Sequence, residues 1–232
     1  MDISVLFVVA LLAVPAIGIV AFVLRRRREG ALAAWAALNG WEYRGSAPEL
    51  TELWRGLPFG VGTSRRATEV LAGTWQGRPA TSFQYRYTVK SGDNRQTHTF
   101  HVLTLTLPAF LPTLELIPEG LATRFATALG GQDLSFESED FNRAWRVTSR
   151  MPRFASDVVH PRLMERLLRP GARANLRIEG TEILTWSAGT PDLDLIAPRR
   201  GLLDAVVRSI PRFVWLAHGY DPSPPPAFEE QK

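Results

Sequence analysis

The chain has 232 residues, no cysteine and a formal net charge of +4, from 27 basic and 23 acidic residues. The length suits one domain with accessory segments, and the missing cysteine excludes a disulfide framework, a thiolate zinc site and a cysteine nucleophile. Most of the excess charge lies in Arg25, Arg26, Arg27 and Arg28, so the remainder lacks the basic footprint of a nucleic-acid binder.

Residues 3–24 carry no charge, and Ser4 is their single polar side chain. At a rise of about 1.5 Å per residue the run reaches about 33 Å, enough for a hydrocarbon core of about 30 Å. Pro15 and Gly18 inside it are tolerated in membrane helices. A cleavable signal would put positive charge before a shorter apolar run, and here the order is reversed. The spacing predicts a transmembrane helix with its arginine stop over 1–28. Positive flanks stay in the cytoplasm, so the short N-terminus faces out and the rest of the chain faces in. Arg25, Arg26, Arg27 and Arg28 form the membrane flank, within reach of anionic headgroups.

A juxtamembrane helix is expected over 29–40, with Leu32, Trp35 and Leu38 at helical spacing and Asn39-Gly40 as its stop. "SAPELTELW" has capping-box spacing from Ser46 to Glu49 and Pro48 near a helix start. Strands follow at about 66–76 and 79–89, around Gln76-Gly77-Arg78. In the second, Thr81, Phe83, Tyr85, Tyr87 and Val89 alternate with polar residues, which predicts a half-buried hairpin strand. A further strand is expected over 97–107, a short extended piece at "TLELIP" and a helix at "GLATRFATALGG".

"DLSFES" and "RAWRVTS" predict two strands around a polar link, Glu139 to Asn142. Pro161 opens a short helix. "NLRIEGTEILTWS" predicts a hairpin turning at Glu179-Gly180, and "RRGLLDAVVRSI" a helix with one apolar stripe. The Pro-rich tail, 218–232, is expected to be extended and disordered. Strands follow one another with few intervening helices. The expected fold class is therefore α+β: a transmembrane helix, then one domain over 41–217 of antiparallel sheet with packed helices.

No constellation points to catalysis, a cofactor or a metal. His98 and His101 are three apart on a strand and face opposite ways. His160 stands where a helix cap is wanted. Gly56, Gly60 and Gly62 lack the Lys-Ser/Thr pair of a phosphate loop. Glu137, Glu139 and Asp140 read as a solvated turn, and Asp192 with Asp194 lacks further ligands. Arg199, Arg200, Arg208 and Arg212 accompany the apolar stripe of the last long helix and are candidates for membrane-surface contact, against the ordinary reading of that stripe as core.

The succession "ALNGWEY", "GLPFGVGTSRRATEVLAG", "GRPATSFQYRY", "LPAFLPTLEL", "FESEDFNRAWRV" and "RFASDVVHPRLMERLL" resembles a group of actinobacterial single-pass membrane proteins of unknown function. The likeness spans about residues 1–170 and is most specific in "PFG", "FNRAW" and "RFASDV". It implies a bacterial plasma membrane and carries over no activity. The resulting expectation is a membrane-tethered cytoplasmic domain, non-enzymatic, whose partners are the bilayer and a protein. The alternative is a membrane-associated enzyme, or a domain binding a small ligand or lipid.

Overall fold

The computed structural model describes residues 3–120 and 132–223, and of residues 3–16 the backbone alone. Helix α1 (Ile3–Leu38) is continuous through the arginine run. The sheet comprises β1 (Glu42–Ser46), β2 (Thr63–Trp75), β3 (Arg78–Ser91), β4 (Asn94–Pro118), β5 (Gln132–Leu134), β6 (Trp145–Ser149) and β7 (Asn175–Ala188). The remaining α-helices among the described residues are α2 (Glu139–Ala144), α3 (Pro152–Val158), α4 (Pro161–Leu167), α5 (Ile196–Ser209) and α6 (Arg212–Ala217). Among the described residues every strand pairing is antiparallel, which establishes the α+β class.

β4 organises the sheet. One of its edges carries β3 and then β6, and the other carries β7 along nearly its whole length. The break between β3 and β6 falls at "LPAFLP", where Pro108 and Pro112 have no N–H to give to a ladder. The register with β7 slips at the same place, between Thr106 and Leu114. Gly180 sits there at φ +66, opposite Leu111. It lets β7 bend with β4 and continue, so the expected hairpin at Glu179-Gly180 is one long strand.

Both faces of the sheet are covered. On one, α1 brings Leu32 and Ala36, and α3 to α6 bring Phe154, Leu163, Leu203, Val206 and Trp215, onto Leu103, Leu105 and Leu114. On the other, Trp54 and Phe59 of the segment between β1 and β2 close over Phe83, Tyr85, Tyr87, Phe100 and Trp186. From Ala80 to Tyr85 β3 is buried on both sides, with Ser82 and Gln84 enclosed on the face opposite the aromatics; at Arg86 and Tyr87 it is half-buried, as expected.

Two local expectations also fail. Ser46 caps nothing: its hydroxyl donates to the Ala67 carbonyl 3.2 Å away, and the turn that follows is a 3-10 helix, Pro48–Thr51. The link at Glu139 to Asn142 is the helix α2, because Ser138 accepts from Phe141 N at 3.2 Å and caps it. The helix expected at 120–131 lies almost wholly outside the described residues.

Among the described residues no helix is long and apolar enough to cross a membrane. The apolar run 3–24 has its first fourteen residues outside those described with side chains.

Candidate functional site

The joint between α1 and the sheet gathers most of the unusual polar groups. β2 bulges between Thr68 and Leu71, and Glu69 takes the extra position at φ +53, a conformation that costs a β-carbon-bearing residue energy. The bulge aims its carboxylate at α1. Arg28 meets it with both nitrogens, Nε at 2.7 Å and Nη2 at 2.8 Å, and gives a further bond to the Pro191 carbonyl at 2.9 Å. This is a bidentate pair, the geometry at which guanidinium and carboxylate bind best. Arg28, expected at the membrane flank, is therefore also the bolt between helix and domain. Arg25 pairs with Glu29 at 2.8 Å, and Arg26 lies over the Phe22 ring at 5.4 Å.

Beside this joint is a groove of about 570 Å³ between α1, β2 and β3, reaching up to Leu24. Its cations are Arg25, Arg28, Arg66 and Arg86; its carboxylates are Glu29 and Glu69, each already paired. Arg66 and Arg86 are direct cross-strand partners.

Deeper on the same face is the pair Ser82–His101. Ser82 Oγ and His101 Nε2 are 2.9 Å apart, and the ring is 1% exposed. The distance invites a nucleophile–base reading, which the other ring nitrogen refutes. His101 Nδ1 faces the Asp192 backbone N–H at 3.3 Å and Arg199 Nη1 at 3.1 Å. Both can only donate, so Nδ1 is the acceptor and the proton sits on Nε2, directed at Ser82. Burial, then the charge of Arg199, lower the His101 pKa to about 3. The imidazole therefore donates to Ser82 and has no free lone pair with which to take its proton. Arg199 also donates to Ser187 Oγ at 2.6 Å.

The other arginines of α5 and α6 are engaged too. Arg200 lies over the Trp75 ring at 3.7 Å, Arg208 pairs with Asp204 at 2.8 Å, and Arg212 pairs with Asp221 at 2.9 Å. The stripe they accompany, Leu203, Val206, Val207 and Ile210, is core. His98 stacks on Tyr87, turned away from His101. His160 occupies the N-cap position of α4, but its Nε2 contacts the Ser209 carbonyl at 2.8 Å instead of capping.

The opposite face holds a charge no motif announced. Arg177 is fully buried, paired with Glu115, bonded to the carbonyls of Arg55 and Leu57 at 2.7 Å each, and set against the Trp186 ring at 4.9 Å. It fastens the "GLPFGVG" segment to the sheet. Where β4 and β7 bend, a groove of about 630 Å³ is flanked by Phe110, Leu53 and Met151, which are 68%, 55% and 51% exposed. Glu182 stands at its wall, its carboxyl pushed up by burial.

The architecture has a counterpart. The fold is similar to that of a mycobacterial protein, trehalose monomycolate transport factor A, TtfA. The TM-score with the TtfA crystal structure is 0.58 at 17% identity, over 79% of this chain and 96% of the TtfA chain. At that identity the likeness to TtfA is one of fold. It agrees with the actinobacterial resemblance in the sequence. No family model matches the chain, and no curated protein does.

Sequence reasoning placed the arginine run but missed Arg66, Arg86, Arg177 and the Phe110 groove. Arg177 left a faint trace, a charge between Leu176 and Ile178 in a strand. The others depend on strand register and on a bend, which no local pattern encodes.

Proposed function

We propose that the chain is a membrane-tethered, non-enzymatic factor in lipid transport at the plasma membrane. In this reading residues 3–24 cross the bilayer with the N-terminus outside. The α+β domain works on the cytoplasmic side and offers the Phe110 groove to a protein partner. One observation carries it: Ile17, Ile19, Val20, Phe22, Val23 and Leu24 are all exposed, and at 100° per residue they surround the helix. A helix apolar on every side needs an apolar solvent. TtfA, named a transport factor, supplies the transport part of the reading.

The absence of cysteine makes topology directly measurable. Asp2→Cys is expected to react with a membrane-impermeant maleimide on intact cells, and Asp93→Cys only after lysis. A photo-crosslinking residue at position 110 is expected to capture one membrane transport protein, lost when Leu53 and Met151 become Asp. Labelling of position 93 on intact cells would reverse the topology. Crosslinks to no protein would remove the partner.

A further inference from the structure

We propose that the groove between α1, β2 and β3 is a binding site for the phosphate headgroup of an anionic phospholipid of the leaflet that α1 enters. The inference rests on the membrane tether proposed above.

The argument begins with register. Arg66 and Arg86 face each other across antiparallel strands on the same side of the sheet. Like charges at directly opposed positions destabilise a sheet. Among the described residues no carboxylate pairs with either. Both are exposed. Arg86 gives a long bond, 3.3 Å, to the Gln84 carboxamide. The two carboxylates of the groove are held by Arg25 and Arg28. Four guanidinium groups thus converge with two carboxylates already spent, leaving a net of two positive charges around a space of about 570 Å³.

Guanidinium forks match phosphate oxygens in pairs, and an anion between Arg66 and Arg86 converts their repulsion into two charge-assisted attractions. Ser46, Thr68 and Tyr43 add neutral hydroxyls to the lining. Position selects the source of the phosphate. The groove reaches Leu24, the last residue of the apolar run, so it lies at headgroup depth once that run is in hydrocarbon. The bidentate Arg28–Glu69 bolt fixes the groove relative to the helix, which makes the depth a property of the fold.

The test uses the full chain in neutral detergent, titrated with phosphatidylglycerol or phosphatidylcholine and read by native mass spectrometry. One phosphatidylglycerol is expected to bind with a preference of about tenfold or more, a loss of which follows from removing the two guanidinium partners in R66Q/R86Q. The double substitution is expected to leave the lipid-free Tm unchanged or raised, since it removes facing charges. A lowered Tm would show that the arginines hold the sheet and would overturn the proposal. Equal binding of both lipids would overturn it as well, and thermal stabilisation by inorganic phosphate in that case would assign the groove to a soluble anion. Alkaline washing of membranes separates the two readings. A chain that stays in the membrane without lipid preference sinks the headgroup site alone; a chain that washes out sinks the tether and the site together.

Discussion

Arg177 and His101 are both sealed from water, with different partners. Arg177 is met by the Glu115 carboxylate and two carbonyls. Replacing it by Met leaves Glu115, 7% exposed, without its counter-charge. The expected cost is about 3–5 kcal/mol, a fall of roughly 10 °C in Tm, checked by thermal unfolding of the full chain in detergent. The pair E115Q/R177M should recover most of it. His101 instead gives up its charge. Its folded pKa of about 3 lies below the ordinary value of 6.5, so between these the unfolded chain binds the extra proton. Stability from this group is complete above about pH 6.5 and declines as pH falls toward 3, by up to about 1.4 kcal/mol per pH unit. His101→Gln, which can still bond Ser82, should flatten the acid limb of a stability–pH profile. An unchanged slope would contradict the neutral, doubly accepted Nδ1.

Among the elements, α1 is read quite differently by sequence and by structure. Its sequence divides into an apolar run, an arginine stop and an Ala-rich piece; its backbone is one helix. What makes the last part a domain element is packing: Leu32 is 2% exposed and Ala36 1%, while Leu38, at the same apparent periodicity, is 87% exposed. Leu32→Ala should therefore cost about 2–5 kcal/mol and Leu38→Ala close to nothing, as read by Tm. Equal effects would mean that α1 is not part of the core. β4 and β7 show the converse. Glu179-Gly180 has the chemistry of a turn, yet a glycine at positive φ serves a bend as well as a reversal. The choice was made by β4, whose prolines force the partner strand to bend where it does.

At the scale of the whole molecule, a sheet buried on both faces explains which parts of the fold were legible. Alternation identified β3, the strands expected at 66–76 and 97–107 fall within β2 and β4, and the close succession of strands identified antiparallel pairing; the separate extended piece at "TLELIP" is the end of β4. Alternation also suggested one wet face, because Ser82, Gln84 and His101 are polar. They are enclosed with partners of their own: His101 meets Asp192 N and Arg199, Ser82 meets His101, and Gln84 meets Thr68 and Arg86. In the function proposed above, an anchor whose inner end is rooted in the core through Leu32 and Ala36 transmits position as well as proximity, which the proposed headgroup site and partner groove both require.

By itself the sequence determined the properties that are local or additive: the length and apolarity of residues 3–24, the charge step at Arg25, the strand and helix periods and the α+β class. These follow from spacing along the chain and need no partner. Tertiary structure decided the rest. The opposition of Arg66 and Arg86 follows from register, the burial of Arg177 from a segment 120 residues earlier in the chain, and the tautomer of His101 from two donors beyond β7. Each depends on which distant groups are brought within hydrogen-bond reach, and in a low-dielectric interior those partners, not the residue type, set the charge and its chemistry.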